Sequence, residues 1–148
     1  MSIFSKLGSL LRPSAKSVTA QKSFAVEQFV YVKIPGDVGP IDRGTLFENP
    51  IDSALAIGSL GAVSGGGSSL GEERSDGTRP IEFCGIDIDT TNRDGALSIL
   101  RTLLPSLNAP IGTELHYTVG SERLQDELSP EGWLLSKPRT LLHPGFGV

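Results

Sequence analysis

Three glycines in a row, flanked by hydroxyl side chains in "LGAVSGGGSSLGEE" (residues 60–73), restrict this chain more than any other stretch. Such a run serves as an anion-cradling loop, as a linker, or as a strand with a bare backbone. A phosphate loop needs a strand before it, a helix after it and usually a lysine to meet the charge. Here a short helical pattern precedes the glycines, Glu72 and Glu73 follow them, and no Gly-Lys-Ser/Thr occurs. A linker would join two self-sufficient halves, whereas these glycines divide one pattern of elements. An edge strand is the reading that remains. Its backbone would be a template for another chain's strand, or its small side chains would serve only close packing.

The neighbouring segments supply the rest of that pattern. In "SFAVEQFVYVKIPG" (residues 23–36), Phe24, Val26, Val30, Val32 and Ile34 alternate with Glu27, Phe29, Tyr31 and Lys33, which predicts a strand ended by Pro-Gly. A Gly- and Pro-rich loop is expected to residue 48. "NPIDSALAIG" (49–58) predicts a short helix with Asn49 as N-cap, Pro50 in the first turn and Asp52 favouring the positive helix end. "IEFCGIDID" (81–89) reads as a strand. "TNRDGALSILRTLLPSLN" predicts a helix with Thr91 or Asn92 as cap and an apolar face including Leu97, Leu100 and Leu104, which should end or kink at Pro105. "TELHYTV" reads as a last strand with Leu115, Tyr117 and Val119 inward. Residues 121–148 would add a short helix near 121–128, an anchoring Trp133 and a loosely held tail.

Strand, helix, strand, strand, helix, strand is the α+β, ferredoxin-like βαββαβ order, a four-stranded antiparallel sheet with two helices on one face. Right-handed crossovers place the first strand between the third and fourth, and the second at a border. The expected organisation is a basic, poorly ordered segment at 1–22, a core at 23–120 and an extension at 121–148 that packs on the core.

Charge narrows the partners. Residues 1–22 hold Lys6, Arg12, Lys16 and Lys22 and no acid, so the rest sets nine basic against seventeen acidic residues, a balance of −8. A body of that sign repels phosphate backbones and attracts basic partners, which argues against nucleic acid. The single cysteine, Cys84, excludes an internal disulfide and fits a cytoplasmic location. No apolar run is long enough for a membrane span, and the start has no signal-peptide pattern.

If the helices cover Val30, Val32, Cys84, Ile86, Ile88, Leu115 and Tyr117, alternation turns Glu27, Phe29, Tyr31, Phe83, Asp87, Asp89, Glu114 and His116 to the opposite face. Aromatics on the first and third strands mimic an RNA-recognition sheet, but neither of its signature motifs is present and the carboxylates oppose it. A metal-dependent or ligand-binding enzyme would use Asp87, Asp89 and His116, with His116 as ligand or general base. A protein interface would place the aromatics centrally and the acids around them. Alternatively, the 121–148 extension covers the aromatics, through Trp133 for instance.

"LGAVSGGGSSLGE", "IEFCGIDID" and "LSILRTLLPSLNAPIGTELHY" together resemble small bacterial ferredoxin-like proteins of unassigned function, some of them similar to immunity proteins that neutralise secreted toxins. The likeness covers residues 50–118, and Asn108 stands where that pattern has Gly. It implies a fold and transfers no site residue. The expectation is a protein-binding module with no cofactor, an immunity protein whose acidic sheet face occludes the active site of a basic toxin domain. An edge-to-edge homodimer through residues 60–70 is a further arrangement.

Overall fold

The structure, a computed structural model, describes residues 25–147. Its strands are β1 (Phe29–Pro35), β2 (Gly61–Leu70), β3 (Ile81–Thr90), β4 (Glu114–Val119), β5 (Glu122–Ser129) and β6 (Gly132–Pro138). They form one antiparallel sheet in the order β2-β3-β1-β4-β5-β6. This corrects the expected four-stranded, two-helix sandwich: the sheet has six strands, the helices are few, and the fold is mostly β. The additional strands come from residues read above as a helix and tail. In β5, Leu124, Asp126 and Leu128 point to the core, so a charged residue interrupts the apolar alternation that marks a strand.

The helical part also differs from expectation. Helix α1 (Pro40–Arg43), a π turn (Gly44–Glu48) and α2 (Asn49–Ile57) run continuously, because the residues at each junction keep helical dihedrals. The expected loop to residue 48 is therefore partly helical, and Asn49 is an interior residue rather than a cap. Pro50 explains the π turn, since it lacks an N–H and would crowd the carbonyl one turn back. Widening the helix just before it lets Asn49 N–H bond to Gly44 O instead.

Helix α3 (Arg93–Ser106) starts where the sequence indicates, with the Asn92 side chain accepting from Gly95 N–H at 3.0 Å. It ends one residue after Pro105, and Asn108 (φ 61°) takes the left-handed conformation that turns the chain away. Helices α2 and α3 and Phe47 of the π turn bury one sheet face. Val30, Val32, Ile34, Cys84, Ile86, Ile88 and Leu115 meet Phe47, Ile51, Leu55, Leu97, Leu100 and Leu104 there. Each fully buried aliphatic side chain of this kind contributes about 1.5–3 kcal/mol.

A buried polar network attaches β5 and β6 to this core. Asp126 is fully buried, and its Oδ2 lies 2.7–2.8 Å from Arg101 Nη2 and Nε. Its Oδ1 accepts from Tyr117 Oη at 2.7 Å and from Ser136 N–H at 3.0 Å. Four such donors offset the cost of burying the carboxylate. Trp133 anchors the same side, its indole N–H donating to Arg101 O at 2.8 Å.

The opposite sheet face is not open. After β6 the chain crosses it as a strap, Arg139 to Gly147, with a short 3-10 turn at Pro144–Phe146. Phe146 meets Phe29 edge-on at 4.9 Å, and the Arg139 guanidinium lies 3.7 Å over the Phe146 ring. Arg139 Nη1 also donates to Tyr117 O at 2.6 Å. The expected loose tail is thus a packed segment; Trp133 anchors the extension on the helix side as expected, while Phe146 and not Trp133 covers the sheet-face aromatics.

Candidate functional site: a cleft beside the glycine border

The sequence-predicted site residues divide into three groups. Phe29, Tyr31 and His116 are 6%, 7% and 0% exposed, which corrects the expectation that they form an open patch. The strap covers Phe29 and Tyr31: the His143 ring sits 5.2 Å from Phe29 and 4.5 Å from Tyr31. His116 lies edge-on to Tyr31 at 5.7 Å, and its Nε2 meets Glu114 Oε1 at 2.8 Å. Burial lowers the His116 pKa below its ordinary value, and the His116 hydrogen bond lowers that of Glu114. A neutral ring with its proton on Nε2 fits both, and Nδ1 is buried without a partner among the described residues.

Glu27 and Asp89 stand apart. The Glu27 carboxylate accepts from Gly120 N–H in the β4–β5 turn, and Asp89 is exposed at the end of β3. Asp87, Asp89 and His116 do not converge. No group of three or more His, Cys, Asp or Glu residues placed to hold a metal occurs among the described residues. Cys84 is buried, and burial raises its pKa, so the thiol has no thiolate character.

Tyr31, Phe83 and Asp87 do come together. With Gly66, Gly67, Ser68, Ser69 and His143 they line a cleft of about 250 Å3 between β2 and the strap. Tyr31 reaches it by crossing β3 at Gly85, where a Cβ would collide with the hydroxyl end of the tyrosine side chain. Burial, followed by the Asp87 charge, pushes the Tyr31 pKa up to about 12. Tyr31 is therefore a neutral phenol at physiological pH.

His143 closes one end of the cleft. Its Nδ1 accepts from Gly145 N–H at 2.9 Å, leaving the proton of the neutral ring on Nε2, which faces Asp87 Oδ1 at 3.1 Å. With Nδ1 hydrogen-bonded to the strap backbone and Nε2 against Asp87, His143 fastens the strap to β3.

The glycines of β2 differ in what they do. A Cβ on Gly61 would meet the Asp89–Thr90 backbone, and one on Gly65 would press Asp87 Oδ2 at 3.1 Å. A Cβ on Gly66 would approach Glu48 Oε1 at 2.7 Å and Gly85 O at 3.0 Å. That crowding comes from the helix side, where Arg43 pairs with Glu48 at 2.6 Å and donates to Ser68 Oγ at 3.2 Å. Gly67 is different: among the described residues nothing lies within 4 Å of its would-be Cβ, and its φ is not positive. Among the described residues, neither packing nor backbone conformation requires glycine there.

Among the described residues β2 is a sheet border with β3 as its one strand neighbour, and Asp52 Oδ1 accepts from Val63 N–H at 2.9 Å near its start. The expectation that the glycine run lies extended at the sheet's border is met. Sequence reasoning missed His143, Arg139 and Phe146. Their signal was a His-Pro-Gly-Phe cluster in a segment otherwise poor in strand pattern.

No family model, curated protein or solved structure matches the chain. Among the described residues, no helix is long and apolar enough to cross a membrane.

Proposed function

We propose that the chain is a protein-binding module that accepts an extended, basic segment of another protein along β2. Gly67 carries this reading. A glycine inside a strand costs stability through backbone entropy and lost side-chain contacts. At Gly61, Gly65 and Gly66 crowding accounts for that cost; at Gly67 nothing among the described residues does. A bare backbone beside an open cleft suits a partner main chain that must approach closely, with its side chains entering alternate positions.

Charge supports a basic partner. Asp87 lies opposite Gly65 and Asp89 opposite Ala62 in the β2–β3 register, and residues 25–148 carry a balance of −8. A basic toxin domain, the partner implied by the family resemblance, has the charge this border takes. Occlusion would then run along the border, because the strap already occupies the sheet face.

The test is selection of random peptides on the full-length chain, followed by binding to wild type and to Gly67→Val. Peptides that are basic and rich in β-branched residues, and that lose at least about tenfold in affinity on Gly67→Val, support the reading. Equal binding to the two proteins overturns it.

A further inference from the structure

We infer that the cleft beside Gly67 recognises an arginine side chain of the partner, the guanidinium meeting Asp87 against the Tyr31 and Phe83 rings. This deepens the proposed function and rests on it for the source of the arginine. Three observations on the same face support it.

The first is the cleft's polarity. Among the described residues Asp87 is its one carboxylate, with a side chain 30% exposed, and there only Oδ1 is engaged, by His143. Oδ2 points over the bare Gly65 backbone, at the side from which a partner on β2 would arrive. An unpaired carboxylate oxygen in a partly desolvated recess favours a forked N–H donor.

The second is that the chain's own His143 already shows the chemistry. Its planar nitrogen ring lies tilted against Tyr31 at 4.5 Å between centroids, with Nε2 3.1 Å from Asp87 Oδ1. A guanidinium is likewise planar and edge-donating, and it would use the remaining oxygen.

The third is that aromatic rings on this face hold cations. Lys33 Nζ lies 4.5 Å over Phe83, and the Arg139 guanidinium lies 3.7 Å over Phe146. The neutral phenol of Tyr31 and the hydroxyl of Ser69 add acceptors at the rim.

The experiment is an NMR titration of the full-length chain with N-acetyl-arginine methylamide, using the citrulline analogue as the uncharged isostere. Saturable shifts at Gly67, Ser69 and Asp87 with the arginine compound, and none with citrulline, are expected. Asp87→Asn should weaken the arginine compound by about tenfold or more, with an otherwise native amide spectrum establishing that it folds. Phe83→Leu serves as a second variant that leaves the carboxylate in place and should also weaken binding. Equal responses to arginine and citrulline, or shifts confined to other surfaces, overturn the assignment. Failure here is distinct from failure of β2 pairing. A selected peptide that binds β2 equally with arginine or citrulline sinks the cleft assignment alone. An arginine compound that shifts the cleft while no peptide pairs with β2 sinks the strand reading alone.

Discussion

Gly67→Val and Gly66→Val, adjacent and chemically identical, should move stability in opposite directions. At Gly67 the new side chain enters open space on the cleft side of β2, where a β-branched residue suits the strand and the unfolded chain loses entropy. The gain should be about 0.4–1 kcal/mol. At Gly66 the Cβ would approach Gly85 O at 3.0 Å and Glu48 Oε1 at 2.7 Å. Glu48 can swing aside only by breaking its 2.6 Å pair with Arg43, and the backbone carbonyl cannot yield without moving β3. Overpacking of this sort costs about 1–3 kcal/mol. For a chain of this size 1 kcal/mol corresponds to roughly 2–4 °C. Calorimetry should therefore find Gly67→Val melting above wild type by roughly 1–4 °C and Gly66→Val below it by roughly 2–12 °C. A Gly67→Val protein that melts several degrees below wild type would refute the claim that the fold does not need this glycine, and with it the functional argument.

Other consequences are independent of partners. Asp126→Ala should cost about 3–5 kcal/mol in urea unfolding, because it strands Arg101, the Tyr117 hydroxyl and Ser136 N–H together; a loss under 1 kcal/mol would mean that water replaces the carboxylate. Both tyrosines have raised pKa values, chiefly from burial, so native protein at pH 10 should show little tyrosinate absorbance at about 295 nm until urea is added. Stability is then fully present below the unfolded tyrosine value near 10 and lost as pH rises through the folded value, about 12 for Tyr31. The lowered His116 pKa means that the unfolded chain binds a proton the native chain resists. Stability should fall as pH drops below 6.5, and the lowered Glu114 pKa adds a further loss as pH falls below 4.5. His116→Gln should flatten the first part of that decline in urea melts at pH 7.5 and 5.5, and an unchanged slope would assign the proton elsewhere.

The core was legible in the sequence where a single physical rule governs. The alternation of Val30, Val32 and Ile34, the spacing of Leu97, Leu100 and Leu104 and the Asn92 cap each report one face or one end of one element, and those residues lie where the patterns put them. Legibility failed where tertiary partners override local pattern. The π turn depends on Pro50 meeting a helix that starts at Pro40, which no short window displays. β5 was hidden because Asp126 faces inward, and only Arg101, Tyr117 and Ser136, distant in sequence, make that burial tolerable. The site was half legible. Tyr31, Phe83 and Asp87 lie on the face that alternation assigns, but whether that face is open depends on where Arg139–Gly147 travels. Phe146 and His143 decide that, and they lie outside any periodic segment.

Backbone hydrogen exchange, with and without a peptide selected on the wild-type chain, reaches the border claim most directly. Slowed exchange at the β2 amides between Ser64 and Leu70, with β6 amides from Trp133 to Lys137 unchanged, is the expected result. Protection confined to β6, protection at the end of α3, or a selection that yields no binding peptide would contradict it.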